Sequence, residues 1–369
     1  MKQLDLVKFW EDDAPAHKDN CFSETAPQVA LGIRMSEECV FAELNEKGHP
    51  WDESSMTRER RIDLNKRYND KAEKIVGKRF LREDFPPEDA ALPELKRIGE
   101  IFGGRYIIHN YTEWLESDIK TPKQLEAQLD FIDKTDLREY IFPANWQKEK
   151  EIKFERYGTK PHPYRWVRGP ITLACSIIGV EKLIFLILDE PDLAKRFSDT
   201  MADVIIKLGE IMEEESGEKS GGFGFADDNC CMLNLEMYEF FGYPILKRVF
   251  ERFAPDASHM RYQHSDSAME HLLPVLGTLN FTGVNFGPTV TIDKIRKYMP
   301  KTRIDGCIAP FTFMNNETEK LIEEVKRDCD MARQYGRGLN LSTAGSINNG
   351  SSLESLRTIM WAITEYGRY

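Results

Sequence analysis

The hydrophobic pattern of the chain changes its period repeatedly after about residue 104. Short apolar runs alternate with longer segments whose apolar positions recur every three or four residues. This alternation predicts parallel strands joined by helices, so that each strand and its following helix form one βα unit. The predicted strands are Arg105–His109, Tyr164–Arg168, Gly222–Ala226, Met260–Gln263, Gly283–Phe286, Ile304–Ile308 and Leu339–Leu341, with an eighth expected within Phe131–Pro143.

Helical periodicity follows most of these strands. The predicted helices are Leu173–Leu188, Asp192–Met212, Tyr238–Arg252, Ser267–Leu279, Ile292–Met299, Glu317–Tyr335 and Leu353–Tyr366. Eight such units predict an α/β fold of the closed (β/α)8 TIM-barrel class. The sequence has no G-x-G-x-x-G turn, which disfavours an open dinucleotide-binding sheet.

The first 95 residues have a different character from the rest. Thr57–Lys78 is dense in charged side chains and closes on Gly77, which is typical of an exposed helix. Prolines at 86, 87 and 93 then interrupt the chain. We therefore predict a mainly helical N-terminal extension, residues 1–95, that packs on a barrel formed by residues 96–369.

Composition narrows the classes of function. A length of 369 residues suits one large barrel. A net charge of −12 argues against a nucleic-acid surface, which requires clustered Lys and Arg. No apolar run approaches the roughly 18 residues of a membrane span, and acidic residues stand where a signal peptide would be apolar. We expect a cytoplasmic protein that contacts neither nucleic acid nor membrane.

Polar side chains follow several of the predicted strands. In a parallel barrel, the residues at the carboxyl ends of the strands surround the active site. Those positions therefore supply the candidates for chemistry. They are His109 and Tyr111, Arg168, Asp227 to Asn229, His264 and Asp266, and Asn285 with Phe286.

The carboxylates and the imidazole are the candidates for catalysis. Adjacent residues of an extended chain alternate in direction, so one of Asp227 and Asp228 is expected to face the barrel mouth while the other caps the following helix. His264 and Asp266 stand two residues apart and can share a side, which suits a metal site or an oriented base. We expect this pair to lie within reach of Asp227 or Asp228. Ordinary loop and cap hydrogen bonding is the structural alternative for each of them.

Four segments carry motifs in a fixed order. They begin with WVRGPIT (166–197), FADDN (225–253), QHSDS (263–288) and LNLSTAG (339–369). Their order and spacing resemble those of the uroporphyrinogen decarboxylase superfamily over roughly residues 100–369. The resemblance implies a (β/α)8 barrel but is not specific for one reaction.

The resemblance favours one branch of that superfamily. True uroporphyrinogen decarboxylases carry an N-terminal R-x-A-G-R-Y-L-P-E-Y element whose arginines hold substrate carboxylates. Only a weak similarity to this element occurs, at Gly103–Trp114, and that segment lies too far along the chain. The other branch, the corrinoid-dependent methyltransferases, binds zinc through a His-x-Cys motif and a later Cys. Here His264 is kept, Asp266 replaces the first Cys, and the later Cys would fall at Ala344 or Gly345.

The altered motif implies an altered metal site. A carboxylate is a harder ligand than a thiolate, so the resemblance implies a zinc site made of His264 and Asp266, with Asp227, Asp228 or Glu236 as further ligands. Such a site suits removal of a methyl group from an ether, because the departing oxygen needs a metal or a proton. The predicted substrate-binding residues are His109, Tyr111, Arg168, Asn229, Asn285 and Phe286, beside the aromatic Trp166.

These observations lead to one predicted function and two alternatives. The resemblance implies methyl transfer from a small methylated substrate, such as a methyl ether, to the cobalamin of a partner corrinoid protein. The chain has no D-x-H-x-x-G cobalamin element of its own. The first alternative is a decarboxylase or other lyase, in which Arg168 or Arg261 holds a substrate carboxylate. The second is a non-catalytic binding protein, in which the residues at the strand ends do not converge.

Overall fold

The computed structural model describes residues 3–52 and 55–369. The helices in chain order are α1 (Leu6–Ala16), α2 (Cys39–Leu44), α3 (Arg58–Val76), α4 (Ile98–Ile101), α5 (Pro122–Lys134), α6 (Leu137–Ile141), α7 (Trp146–Tyr157), α8 (Pro170–Ile178), α9 (Val180–Asp189), α10 (Pro191–Ser216), α11 (Leu235–Phe241), α12 (Tyr243–Phe253), α13 (Leu273–Leu276), α14 (Ile292–Tyr298), α15 (Pro310–Met314), α16 (Thr318–Tyr335) and α17 (Leu353–Tyr366). The strands are β1 (Ala30–Leu31), β2 (Gly104–His109), β3 (Thr112–Ser117), β4 (Trp166–Arg168), β5 (Gly222–Ala226), β6 (Met260–Ser265), β7 (Gly283–Phe286), β8 (Arg303–Ile308) and β9 (Leu339–Thr343).

The chain divides into two compact units. The first unit comprises the described residues of 1–85, 264–270 and 281–369. The second unit comprises residues 86–263 and 271–280. Strand β6 begins in the second unit and ends in the first, because the division falls between Gln263 and His264.

The first unit contains four neighbouring parallel strands in the order β1-β9-β8-β7. Their apolar side chains are wholly buried, as at Val284, Ile304 and Leu341. Short apolar runs form strands here because parallel strands are usually covered on both faces. Helix α17 packs against α16 and α3. The helix predicted from the charged stretch Thr57–Lys78 is confirmed as α3, which Thr57 caps and Gly77 ends.

The second unit is built on the parallel pair β4 and β5. On one face of β5, Phe223 and Phe225 are wholly buried and pack on Phe253 and Phe250 of α12. On the other face stand glycines, and Gly224 lies opposite Trp166 of β4. Each unit therefore has the parallel strands and covering helices that the sequence predicts, which confirms the α/β class.

The predicted first barrel strand is wrong. Residues Arg105–His109 belong to β2, which pairs antiparallel with β3 in a separate two-stranded hairpin. Asn110 and Tyr111 form its two-residue turn, with φ angles of 49° and 60°. Two successive left-handed residues match the twist of a tight hairpin. His109 and Tyr111 are therefore exposed at a hairpin tip and not at the end of a parallel strand.

The predicted eighth strand is also wrong, because Phe131–Pro143 contains parts of helices α5 and α6. A parallel strand occurs instead at Ala30–Leu31, which pairs with Asn340 and Leu341 of β9. Part of the segment that we predicted to be an extension therefore supplies a strand of the sheet. Its two residues are too few to give a visible hydrophobic period.

One predicted helix is divided. Leu173–Leu188 forms two helices, α8 and α9, which meet at Gly179 with a bend of 100°. Gly179 has a φ of 87°, a left-handed value that ends α8 and that residues with a side chain rarely adopt. Among the described residues, no single helix is long and apolar enough to cross a membrane, although the bent pair α8 and α9 together meets that criterion by length and composition.

Candidate functional site

The polar centre of the first unit is a histidine held by an asparagine. His264 is the fifth residue of β6, and Asn285 is the third residue of β7. The Nδ1 atom of His264 lies 2.7 Å from the Oδ1 atom of Asn285. The Nδ2 group of Asn285 donates to the main-chain oxygen of Asp305 and, over 3.0 Å, to that of Thr343. Asn285 is therefore fixed by β8 and β9 and in turn holds the imidazole.

These contacts assign the hydrogen on the His264 ring. Main-chain oxygens only accept hydrogen bonds, so the amide nitrogen of Asn285 must face Asp305 and Thr343. The amide oxygen that remains is an acceptor, and Nδ1 of His264 must donate to it. In the neutral ring, the lone pair is then on Nε2. An imidazole in this tautomer can bind a metal or accept a proton through Nε2.

Asp266 lies beside this imidazole. A ring nitrogen of His264 and a carboxylate oxygen of Asp266 lie within 4.8 Å of one another. Gly345, in the loop after β9, approaches the same carboxylate, because a Cβ atom built on it would lie 3.0 Å from Oδ2 of Asp266. The resemblance places the later zinc-binding cysteine of that branch at Ala344 or Gly345, in the same loop. No thiolate enters at that position.

Asp227 has a structural position in the second unit. It follows β5, is wholly buried, and accepts a 2.8 Å hydrogen bond from the backbone N–H of Thr172. It therefore caps the start of α8, whereas the sequence predicted a cap on the following helix. Gly169 permits this approach, because a Cβ atom there would lie 2.2 Å from that of Asp227. The direct catalytic role that we predicted for Asp227 is disfavoured by its complete burial.

Burial raises the pKa of the Asp227 carboxyl from its ordinary value of 3.8 to about 7, although the Thr172 N–H and hydroxyl act in the opposite direction. The negative charge of Asp228 raises it further. A buried carboxyl with a raised pKa is more stable in the folded state when it is protonated. Its stabilising contribution is complete below about pH 4 and is lost as the pH rises through about 7.

We expect Asp227→Asn to remove this pH dependence. The amide keeps an oxygen for the Thr172 N–H but cannot ionise. Between about pH 4 and pH 7, the free energy of unfolding of the wild type should fall relative to that of the variant by a few kcal/mol. Urea unfolding at several pH values measures this difference. Glu236→Gln, at an exposed position, is the control, and parallel curves for wild type and Asp227→Asn would show that Asp227 does not titrate in this range.

Arg168 and Arg261, the two arginines proposed to hold a substrate carboxylate, are in different situations. Arg261 donates to the main-chain oxygens of Ala254 and Leu279, which gives it a structural role. Arg168 ends β4, is half-buried, and has a buried Nε atom without a hydrogen bond. Arg168 is therefore the arginine of the two that fits a ligand.

Other predicted residues are placed less favourably. Phe286 is wholly buried and belongs to the core, which disfavours its predicted contact with substrate. Glu236 lies exposed in the first turn of α11 and joins no group of potential metal ligands among the described residues, which disfavours its predicted role as a ligand. The side chain of Asn285 orients His264, which favours a positioning role over substrate contact. Asp228 and Asn229 are half-buried in the turn after β5, and their predicted roles stay predictions.

Two residues near these groups were missed by sequence reasoning. Gly345 was considered only as the place of an absent cysteine, yet a side chain at this position would meet the Asp266 carboxylate. Tyr262 pairs with Trp166, with the ring centroids 5.6 Å apart. A signal for Tyr262 was present, because it stands two residues before His264 and so shares its face of β6.

Comparisons with known proteins agree with the fold. A model of the uroporphyrinogen decarboxylase family matches residues 166–366. Among solved structures, the chain is similar to a methyltransferase from Methanosarcina mazei, with 16% identity and a TM-score of 0.52 over 83% of this chain and 86% of the other. A likeness at this identity shows the fold, and it confirms the predicted (β/α)8 TIM-barrel class with a helical N-terminal region. No curated protein matches the sequence.

Proposed function

The chain belongs to the uroporphyrinogen decarboxylase family, and from that premise we propose that it is a methyltransferase that moves a methyl group from a small methyl ether to a corrinoid protein. The observation that carries this proposal is the orientation of His264 by Asn285, with Asp266 beside the ring. A side chain that is oriented in this way at the end of a strand is typical of catalytic sites in barrels. The methyltransferase fold of the Methanosarcina mazei protein supports the same branch.

The chemistry of the ether explains why these residues suit the reaction. The methyl–oxygen bond breaks, its electron pair stays on the oxygen, and the methyl group forms a bond with the reduced cobalt of the corrinoid. The departing oxygen becomes negative and must receive a proton or a cation. His264 can supply that proton from Nε2 when its ring is protonated, and Asp266 lies beside the ring.

The donor atoms also fit a divalent metal such as zinc. An imidazole Nε2 and a carboxylate oxygen are ordinary zinc ligands, and catalytic zinc sites have three protein ligands and one open position. We propose that His264 and Asp266 are two of the three. A metal bound there would act as a Lewis acid on the departing oxygen. Asn285, which holds the other ring nitrogen, would be the residue that orients the ligand.

The metal proposal predicts a change in zinc stoichiometry. Wild type that is loaded with zinc and then dialysed should retain about one ion per chain, and Asp266→Ala should retain much less, because the site loses one of its protein ligands. Metal analysis of the dialysed proteins measures this. Asp192→Ala, in the first turn of α10, is the control. Equal retention by Asp266→Ala and wild type would remove Asp266 from the ligand set.

The proposed reaction requires a second protein, and its omission is the direct test. The wild type, mixed with an aryl methyl ether and a reduced corrinoid protein, should change the cobalt absorption spectrum and release the demethylated phenol. Without the corrinoid protein, the ether should remain intact. Turnover of the ether in the absence of any corrinoid would contradict the proposal.

A decarboxylase is the second candidate, and Arg168 is the observation that favours it, because its Nε is buried without a hydrogen bond. Uroporphyrinogen itself is a poor candidate substrate, since the N-terminal arginine element is absent from the sequence. An anaerobic assay separates the two candidates. Coproporphyrinogen formed at an ordinary turnover of about 1 per second would support the decarboxylase, and its absence is the expected result.

A further inference from the structure

The second unit presents an aromatic surface and a cation on one face of strand β4. Trp166 and Arg168 are two residues apart in the strand, so their side chains lie on the same face, and Val167 between them is buried on the other. Trp166 is 43% exposed, so that part of its ring faces solvent. The side chain of Tyr262 lies beside it, with the two rings tilted at 44°.

The neighbouring strand is shaped to receive the indole. Gly224 is the register partner of Trp166, and a Cβ atom built on it would lie 2.3 Å from the Trp166 ring. The ring therefore lies across a position where any side chain would displace it. Phe223 and Phe225, on either side of Gly224, point to the other face of β5 and are buried in the core. Gly224 therefore faces Trp166 and, having no side chain, leaves room for the indole.

Arg168, the cation beside this surface, lacks the carboxylate partners that other arginines of the second unit have. Arg138 and Arg196 each bind two carboxylates, and Arg252 binds Glu210 and Glu213. For Arg168, the described part of the chain provides no carboxylate, and its buried Nε has no hydrogen bond. Burial of a polar guanidinium atom without a partner is costly, and an anionic ligand removes that cost.

We propose that this face of β4 binds an aromatic carboxylate, whose ring stacks on Trp166 and whose carboxylate pairs with Arg168. Residues two apart in a strand are separated by roughly 6–7 Å, which suits a benzoate-sized molecule lying along the strand. This inference rests on the proposed function in one respect. If the chain transfers methyl groups from ethers, the ligand of this subsite would be its substrate, a methoxylated aromatic acid. The subsite itself stands on the contacts of Trp166, Gly224 and Arg168.

Calorimetric titration of the whole chain with 4-methoxybenzoate tests the subsite without a corrinoid. The acid should bind more tightly than its neutral analogue, 4-methoxybenzamide. Arg168→Gln should weaken binding of the acid by about 10- to 100-fold and leave that of the amide unchanged, because a hydrogen-bonded charge pair contributes that much. Arg168→Lys keeps the charge and should weaken binding less than Arg168→Gln, since it loses only the planar fork.

The aromatic half of the proposal is tested separately. Trp166→Leu should weaken binding of 4-methoxybenzoate by about 3- to 10-fold and have a smaller effect on cyclohexanecarboxylate, which has no aromatic ring. Arg165→Gln is the matched control, because Arg165 is an exposed neighbour that donates to the main-chain oxygen of Lys219. Circular dichroism confirms that each variant is folded.

The outcomes distinguish this inference from the proposed function. Equal affinity for acid and amide, or an Arg168→Gln variant that binds the acid as wild type does, would overturn the subsite. Methyl transfer from neutral ethers alone would also overturn the subsite but leave the proposed function intact. A third outcome is that the wild type binds the acid tightly, Arg168→Gln does not, and no methyl group reaches a corrinoid. That outcome would support the subsite and contradict the proposed function.

Discussion

Replacing His264 with alanine is expected to lower the rate of methyl transfer to the corrinoid protein by about 10²- to 10⁴-fold, the usual contribution of a positioned proton-transfer group. His264 is half-buried at the end of β6, and its ring is held by Asn285. The alanine variant loses Nε2, the atom that would either donate a proton to the departing oxygen or bind the proposed metal. The change in cobalt absorbance measures the rate.

The fold of His264→Ala should be close to that of the wild type, because the ring belongs to a polar strand end and not to the apolar core. Thermal unfolding followed by circular dichroism checks this. His259→Ala is the matched control, since His259 precedes the same strand and contacts Asp256. A His264→Ala variant with the wild-type rate would show that the imidazole takes no part in the reaction. A wild type that is inactive toward methylated substrates and still binds them would favour the non-catalytic alternative.

The sequence predicted most of the parallel strands because each is a short run of buried residues bounded by polar or glycine residues. In β5 and β7 the predicted and observed bounds are the same, since both strands lie between clear turn residues. The pattern failed at β2, because period-two alternation does not distinguish a parallel strand from one arm of a hairpin. The antiparallel pairing depends on the left-handed Asn110 and Tyr111, and of these only Asn110 is a residue type that signals such a turn.

The candidate site was predicted in its location and only partly in its contacts. Strand-end reasoning identified His264, Asp266 and Asn285, which lie together in the first unit. It did not predict that Asn285 binds the ring of His264, because the two residues are 21 positions apart and the contact depends on the register of neighbouring strands. The cap that Asp227 forms on α8 was not predicted either. It exists because Gly169 lets the backbone come close, a packing detail that no local pattern encodes.

The contact of Asn285 with His264 leads to the second large expected effect. Asn285→Leu should lower the affinity of the site for zinc by about 10- to 100-fold, the usual result of removing a group that orients a metal-binding imidazole. It should also destabilise the protein by about 1–3 kcal/mol, because the main-chain oxygens of Asp305 and Thr343 would be left buried without donors. Competition with a chelator measures the affinity, and Asn315→Leu, at an exposed position, is the control.

Asn285→Asp separates orientation of the ring from stability of the fold. The aspartate keeps an oxygen that accepts from Nδ1 of His264, but its second oxygen would face two main-chain oxygens that need donors. We therefore expect a loss of stability similar to that of Asn285→Leu, while the imidazole stays in its orientation.

Nitrogen NMR of the metal-free protein reports the tautomer of His264 directly, with the signal assigned by its absence in His264→Ala. The neutral ring should carry its hydrogen on Nδ1 in the wild type and in Asn285→Asp, whereas Asn285→Leu should move the hydrogen toward Nε2, the position that free imidazole side chains prefer. Zinc affinity should follow the tautomer and not the stability, because only the Nδ1–H form presents an Nε2 lone pair to the metal. A wild-type ring with its hydrogen on Nε2 would mean that Asn285 does not determine the tautomer of His264.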